Sequence, residues 1–66
     1  MFGEKLLLLR EQNNLSQVEL ANILGITQQC VSTWERGERK PSVDIIIKIS
    51  SLFCCTIDYL LTDKEE

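Results

Sequence analysis

The stretch Gln17 to Arg36, QVELANILGITQQCVSTWER, decides how this chain folds. Ser16 stands immediately before it, and Glu19 three residues later completes an S-x-x-E capping box, the signature of a helix start. Leu15 and Leu20 flank that start at the spacing of a hydrophobic staple. Leu20, Ala21 and Leu24 follow with helical periodicity and share one face. Gly25 then sits where a residue of positive φ ends a helix. Two residues on, Thr27 offers a second N-cap between a second staple pair, Ile26 and Val31. Val31 and Trp34 carry the apolar stripe onward to Gly37, which closes it. The spacing predicts two short helices joined by a turn of about three residues that opens on a glycine, the layout of a helix-turn-helix.

The polar side chains of the second helix indicate what the motif is for. Gln28, Gln29, Ser32, Thr33 and Arg36 fall on one face, opposite Val31 and Trp34. A helix face that merely meets solvent more often carries Glu and Lys. This one carries amides and hydroxyls and one full charge. A glutamine amide matches the acceptor and donor edge of adenine, and Ser or Thr can bond a base or touch a thymine methyl. The face therefore suits reading DNA, with Gln28 and Gln29 as the principal base readers and Ser32 and Thr33 further along the groove. Gln17 and the open N–H groups at its helix start suit a phosphate, and Thr27 joins these residues as a DNA-binding candidate.

The segments LREQNNLSQVELANILGITQQCVSTWERGERKPS and TIDYLL resemble the helix-turn-helix family of lambdoid phage repressors and the broader class of small bacterial XRE-type regulators. Together with the helical spacing between them, they cover nearly the whole chain. The run S-Q-x-x-L-A-x-x-L-G-I-T-Q-Q is specific, whereas the last segment alone is weak. The resemblance implies an all-α, compact five-helix lambda-repressor-like domain, operator binding as a dimer, and no catalysis. In such a domain the positions of Gln17, Gln28 and Gln29 touch phosphate and bases. Positions matching Arg10 and Glu35 often pair between the first and third helices.

Composition sets the outer bounds. Sixty-six residues make one domain, small enough that efficient helix packing or dimerisation is needed for stability. The apolar fraction of 44% is that of a globular protein. No apolar run approaches the ~18–20 residues that cross a bilayer, and the start has neither a basic region nor a small-residue cleavage site. A cytoplasmic location is expected. The formal net charge of −3 argues against nucleic acid only until it is located: the whole deficit lies in residues 58–66, while Arg36, Arg39 and Lys40 cluster just after the reading helix. These three are candidates for backbone phosphates, diluted by Glu35 and Glu38, so the salt dependence should be shallow. Cys30, Cys54 and Cys55 lack metal-site spacing and the chain has no histidine. They read as reduced thiols, with no metal or cofactor expected. One tyrosine and no histidine leave few groups for acid–base catalysis.

In chain order, a first helix is expected from about Gly3 to Asn13, with Phe2, Leu6 and Leu9 facing the core and Asn14 in a left-handed conformation after it. Leu7 and Leu8 either widen that face or lie exposed. Pro41 marks a boundary, Ser42 caps a fourth helix to about Phe53 with Asp44 near its positive end, and Ile46, Ile49, Ser50 and Phe53 have core spacing. Cys54 stands where the resembled family usually has a glycine. Thr56 caps a short helix, Ile57 to Leu61, and residues 62–66 should fray. Leu52 and Tyr59, with Cys54 or Cys55 between them, are left over as candidates for a two-fold dimer surface on a palindromic, double-stranded operator. A protein-interaction module, such as an antitoxin built on the same fold, is the alternative function.

Overall fold

A computed structural model describes residues 2–62. Helices α1 Phe2–Gln12, α2 Gln17–Leu24, α3 Gln28–Glu35, α4 Val43–Phe53 and α5 Ile57–Leu61 follow in order, and no strand lies among the described residues. Every helix after the first begins at a hydroxyl. Ser16, Thr27, Ser42 and Thr56 each have extended backbone and accept the N–H three residues on, from Glu19, Cys30, Ile45 and Tyr59. At α2 the box is reciprocal, with Glu19 Oε1 accepting the Ser16 N–H at 2.8 Å. Each such cap is worth ~1 kcal/mol, so the positions of the starts are specified locally.

The ends are set by left-handed residues. Gly25 has φ 74° and Gly37 φ 80°. A Cβ on Gly25 would meet nothing within 4 Å, so glycine serves its backbone angle there and not a close approach. Asn14 takes φ 58°, and α1 stops at Gln12, one residue before the expected end. Cys54 takes φ 55° at the close of α4, and its N–H bonds the Ser50 and Ser51 carbonyls. A side chain with a Cβ is strained there, and the C-terminal cap holds it in place.

Five side chains are fully buried, one from each helix: Leu6, Leu20, Val31, Ile49 and Leu60. Phe2, Ala21, Leu24, Trp34 and Ile46 surround them, and the staple residues Leu15 and Ile26 pack on the outside of that core. Leu9 and Phe53, expected inside, are half-buried against it. Leu7 is half-buried and Leu8 exposed, which settles the ambiguous pair: α1 widens its buried face on one side only. Ser50 is buried with its hydroxyl donated to the Ile47 carbonyl at 2.9 Å, so it costs no unpaired donor.

Two contacts made at a distance complete the fold. Gly3, on α1, lies against the last turn of α3, where a Cβ would stand 2.4 Å from the Trp34 carbonyl oxygen and 2.8 Å from that of Glu35. Lys5 reaches from α1 to α5. Its Nζ donates to the Tyr59 carbonyl at 2.6 Å and to the Thr62 carbonyl, and lies 5.0 Å from the centre of the Tyr59 ring. A cation at a helix C-terminus satisfies carbonyls that the helix leaves open. Thr62, read from sequence as the start of a fraying end, is thereby tied to α1; residues 63–66 lie outside those described.

Two substitutions test these constraints. On helix propensity alone Gly3→Ala would add up to ~1 kcal/mol, but its methyl group meets backbone that cannot swing aside, at a cost of ~1–3 kcal/mol. A lower urea midpoint is expected, and a higher one would show that α1 can move off α3. Cys54→Gly should raise the midpoint, with a stability gain of up to ~1 kcal/mol, the strain released less the chain entropy glycine adds.

Candidate nucleic-acid interface

The two capped helices α2 and α3 pack closely around the Gly25 turn, where the Ile26 N–H returns to the Ala21 carbonyl at 2.9 Å. This turn fixes the angle at which α3 leaves. Val31 and Trp34 then face inward, while Gln28, Gln29 and Arg36 are exposed and Ser32 and Thr33 half-exposed on the outer side. The amide and hydroxyl face predicted from spacing is therefore a real surface.

Beneath it sits an ion pair. Arg10 Nε donates to Glu35 Oε2 at 2.7 Å, and Arg10 Nη2 to Glu35 Oε1 at 3.1 Å. The third edge of the guanidinium, Nη1, donates to the Leu15 carbonyl at 2.8 Å. Only 13% of the Arg10 side chain and 6% of the Glu35 side chain are exposed. The hydrogen bonds and charge of Glu35 raise the Arg10 pKa further, against desolvation, which lowers it. Glu35 Oε1 also accepts from Gln17 Nε2 at 2.9 Å, and Gln17 Oε1 accepts from Gln28 Nε2 at 3.3 Å. A continuous chain of hydrogen bonds thus runs from α1 through the end of α3 and the start of α2 to the first residue of the reading face.

The remaining polar residues have individual partners. Thr33 donates its hydroxyl to the Gln29 carbonyl at 2.7 Å, which spends its donor on the helix and leaves its methyl group as what it offers a ligand. Thr27 donates to Cys30 Sγ at 3.4 Å. With Gln29, Thr33, Trp34 and Arg39, these two line an open hollow of about 290 Å³ beside α3. Arg36 is not a free cation. Its Nε and Nη2 fork onto Glu38 at 3.0 and 3.2 Å, and its Nη1 donates to the Ser32 hydroxyl. The pair raises the Arg36 pKa and lowers that of Glu38. Arg39 and Lys40 are exposed, with no carboxylate partner among the described residues.

Set against the sequence reading, the structure places Gln17, Thr27 and Gln28 together at the start of α3, Gln29, Ser32 and Thr33 along its outer side and Arg36 at its C-cap. Gln17, read as a phosphate holder, has its amide engaged at both ends inside the network. Glu38 was noted only as diluting charge, and its grip on Arg36 was missed. The signal available was the i, i+2 spacing of Arg36 and Glu38 across Gly37, a turn that brings both side chains to one side.

The helix-turn-helix family model matches residues 6–60. The chain belongs to the helix-turn-helix family. The transcriptional activator BcrR of Enterococcus faecalis is 41% identical over 97% of this chain, and the uncharacterized helix-turn-helix-type transcriptional regulator YqaE of Bacillus subtilis 39% identical over 92%. The chain spans 31% and 53% of those two relatives' lengths. Among solved structures, the c2 repressor of Salmonella phage P22, crystallised with a synthetic operator, superposes with a TM-score of 0.89 at 28% identity over 97% of each chain. The five-helix arrangement is that of a lambda-repressor-like domain. No helix among the described residues is long and apolar enough to cross a membrane.

The ion pair is the part of this site most open to a stability test. Removing one partner of a buried pair costs ~3–5 kcal/mol because the other charge is left without its match. Arg10→Ala and Glu35→Ala should each approach that loss. The double variant should lose much less than their sum, with a coupling beyond the ~0.3–0.5 kcal/mol scatter of independent sites. Additive losses in urea unfolding would mean that the two charges act separately.

Proposed function

We propose that this domain is a sequence-specific, double-stranded-DNA-binding transcriptional regulator that represses by occupying its operator from the major groove. The observation that carries the reading is the hydrogen-bonded chain Glu35–Gln17–Gln28, which orients an amide at the N-terminal end of an exposed, nearly uncharged helix face. The N-terminal part of a recognition helix is what meets base edges when a helix-turn-helix docks. Support comes also from the likeness to a repressor solved on its operator. In this reading Gln28 and Gln29 read bases and Thr33 presents its methyl group to a thymine. Gln17 and Thr27 lie nearest the phosphates at the motif's entrance, and Arg39 and Lys40 supply backbone contacts.

The working form is a cytoplasmic homodimer on a palindrome. One helix touches few base pairs, too few to single out one site among a genome's competitors. Leu52, Cys54 and Tyr59 are exposed near the C-terminal end, as are Ile57 and Leu61, which supports a self-complementary surface there. Cys55 packs partly on the core and has its pKa raised by burial and by neighbouring Cys54, so it contributes less to that surface.

Selection of duplexes from a random pool tests the reading. Winners should share a two-fold motif with half-sites about one turn, ~34–36 Å, apart. A pool without enrichment would sink it. On a winning duplex, Gln28→Ala should cost ~1–3 kcal/mol and relax preference at one base pair, whereas Lys40→Ala should weaken all duplexes alike and lower the salt slope by ~1. For the dimer, Leu52→Glu should reduce the sedimenting mass and the advantage of a palindrome over a half-site. If neither changes, the dimer surface lies elsewhere.

A further inference from the structure

Arg36 occupies the C-cap of α3, on the same face as Gln28, Gln29, Ser32 and Thr33, and a cation there would naturally serve as a phosphate ligand. Its guanidinium is engaged instead. Two of its nitrogens grip both oxygens of Glu38, and the third donates to Ser32. The backbone dictates this arrangement. Gly37 at φ 80° reverses the chain after α3, its N–H returns to the Trp34 carbonyl at 3.0 Å, and the Glu38 N–H returns to the Thr33 carbonyl at 3.1 Å. Glu38 is therefore anchored at its main chain to the last turn of α3, within reach of Arg36. A forked guanidinium–carboxylate pair has the planar, two-bond geometry that a phosphate would otherwise take up.

We infer that Glu38 is a specificity-determining residue that occupies Arg36 as an internal stand-in for a phosphate, holding down attraction to DNA of any sequence. The inference rests on the DNA-binding reading above. The pair is more than half exposed to water, and such pairs are weak. A phosphate can displace Glu38 only where the rest of the interface is already in place, as on a matching sequence. On an unrelated duplex the exchange brings no net gain, and the displaced carboxylate is left close to the phosphate chain. The energetics fit a filter better than a lock: the effect on operator affinity is small, and the effect on the ratio of specific to nonspecific affinity is the larger one.

The test compares the wild type, Glu38→Gln, Arg36→Gln and the double variant on two probes, a duplex won by the wild type from a random pool and a scrambled duplex of equal length, across a salt series. Glu38→Gln should bind the scrambled duplex roughly two- to fivefold more tightly, with a salt slope steeper by about 0.9, one freed phosphate contact. In the Arg36→Gln background the same change should have a markedly smaller effect. An equal effect in both backgrounds would show a general gain of positive charge and overturn the masking role, as would no tightening. Where the wild type wins no duplex, both variant series are run on the random pool itself. Tightening by Glu38→Gln that depends on Arg36 then upholds the masking of Arg36, while its part in specificity falls with the sequence-specific reading; no tightening there ends both.

Discussion

The fork between Arg10 and Glu35 is the constraint on which the rest of this small domain depends. It joins α1 to the end of α3, and the same guanidinium reaches the Leu15 carbonyl at the entrance to α2. Three segments that share few other polar contacts are thus referred to one charged group. Burying charge is a poor route to stability in itself, because desolvation offsets much of the Coulomb gain. What the pair supplies is a geometric reference. Every nitrogen of the guanidinium has an acceptor, and Glu35 Oε1 accepts from Gln17 as well as from Arg10. Packing of five apolar side chains, one per helix, makes the domain cohere; the ion pair decides where the outer face of α3 sits relative to α2.

Much of this was legible in the sequence because it is local. Ser16, Thr27, Ser42 and Thr56 announce helix starts through bonds that span three residues, and Gly25 and Gly37 announce ends through their backbone angles alone. The apolar spacing of α2, α3 and α4 gave the buried residues for the same reason. What the sequence did not disclose is made between elements distant in the chain. Gly3 looks like an indifferent residue at a helix start until α3 is laid against it. Lys5 looks like a solvated charge until α5 ends beneath it. At the interface, residue types were readable and their partners were not. Arg36 was legible as a cation, but whether a cation is free depends on what the next turn brings back to it, and here that is Glu38. The length of the side chain mattered too: Gln17 can reach Glu35 and Gln28 together, which spacing in the sequence does not encode.

The cysteines separate along similar lines. Cys30 is half-buried in the first turn of α3 and takes a hydrogen bond from Thr27, while Cys55 fills space at the core's edge. Both act as small apolar groups with a sulfur that tolerates irregular packing. Cys54 differs, since its position demands a backbone angle for which glycine is better suited. The strain is tolerable because this turn lets the Cys54 N–H cap the Ser51 carbonyl and the Cys55 N–H cap that of Ser50.

The bond between Gln28 and Gln17 bears on how a domain of this kind could change its preference over time. Gln28 does not stand alone: its rotamer is matched to Gln17, whose own amide is matched to Glu35, whose other bonds are fixed by Arg10. A shorter or differently charged residue at 28 would strand the Gln17 oxygen, and a change at 17 would set Gln28 loose. Substitutions at these positions are therefore epistatic, and a tolerated path to a new target runs through paired replacements. Gln29 and Thr33 carry no such tether to α2, so drift at those two positions meets less resistance.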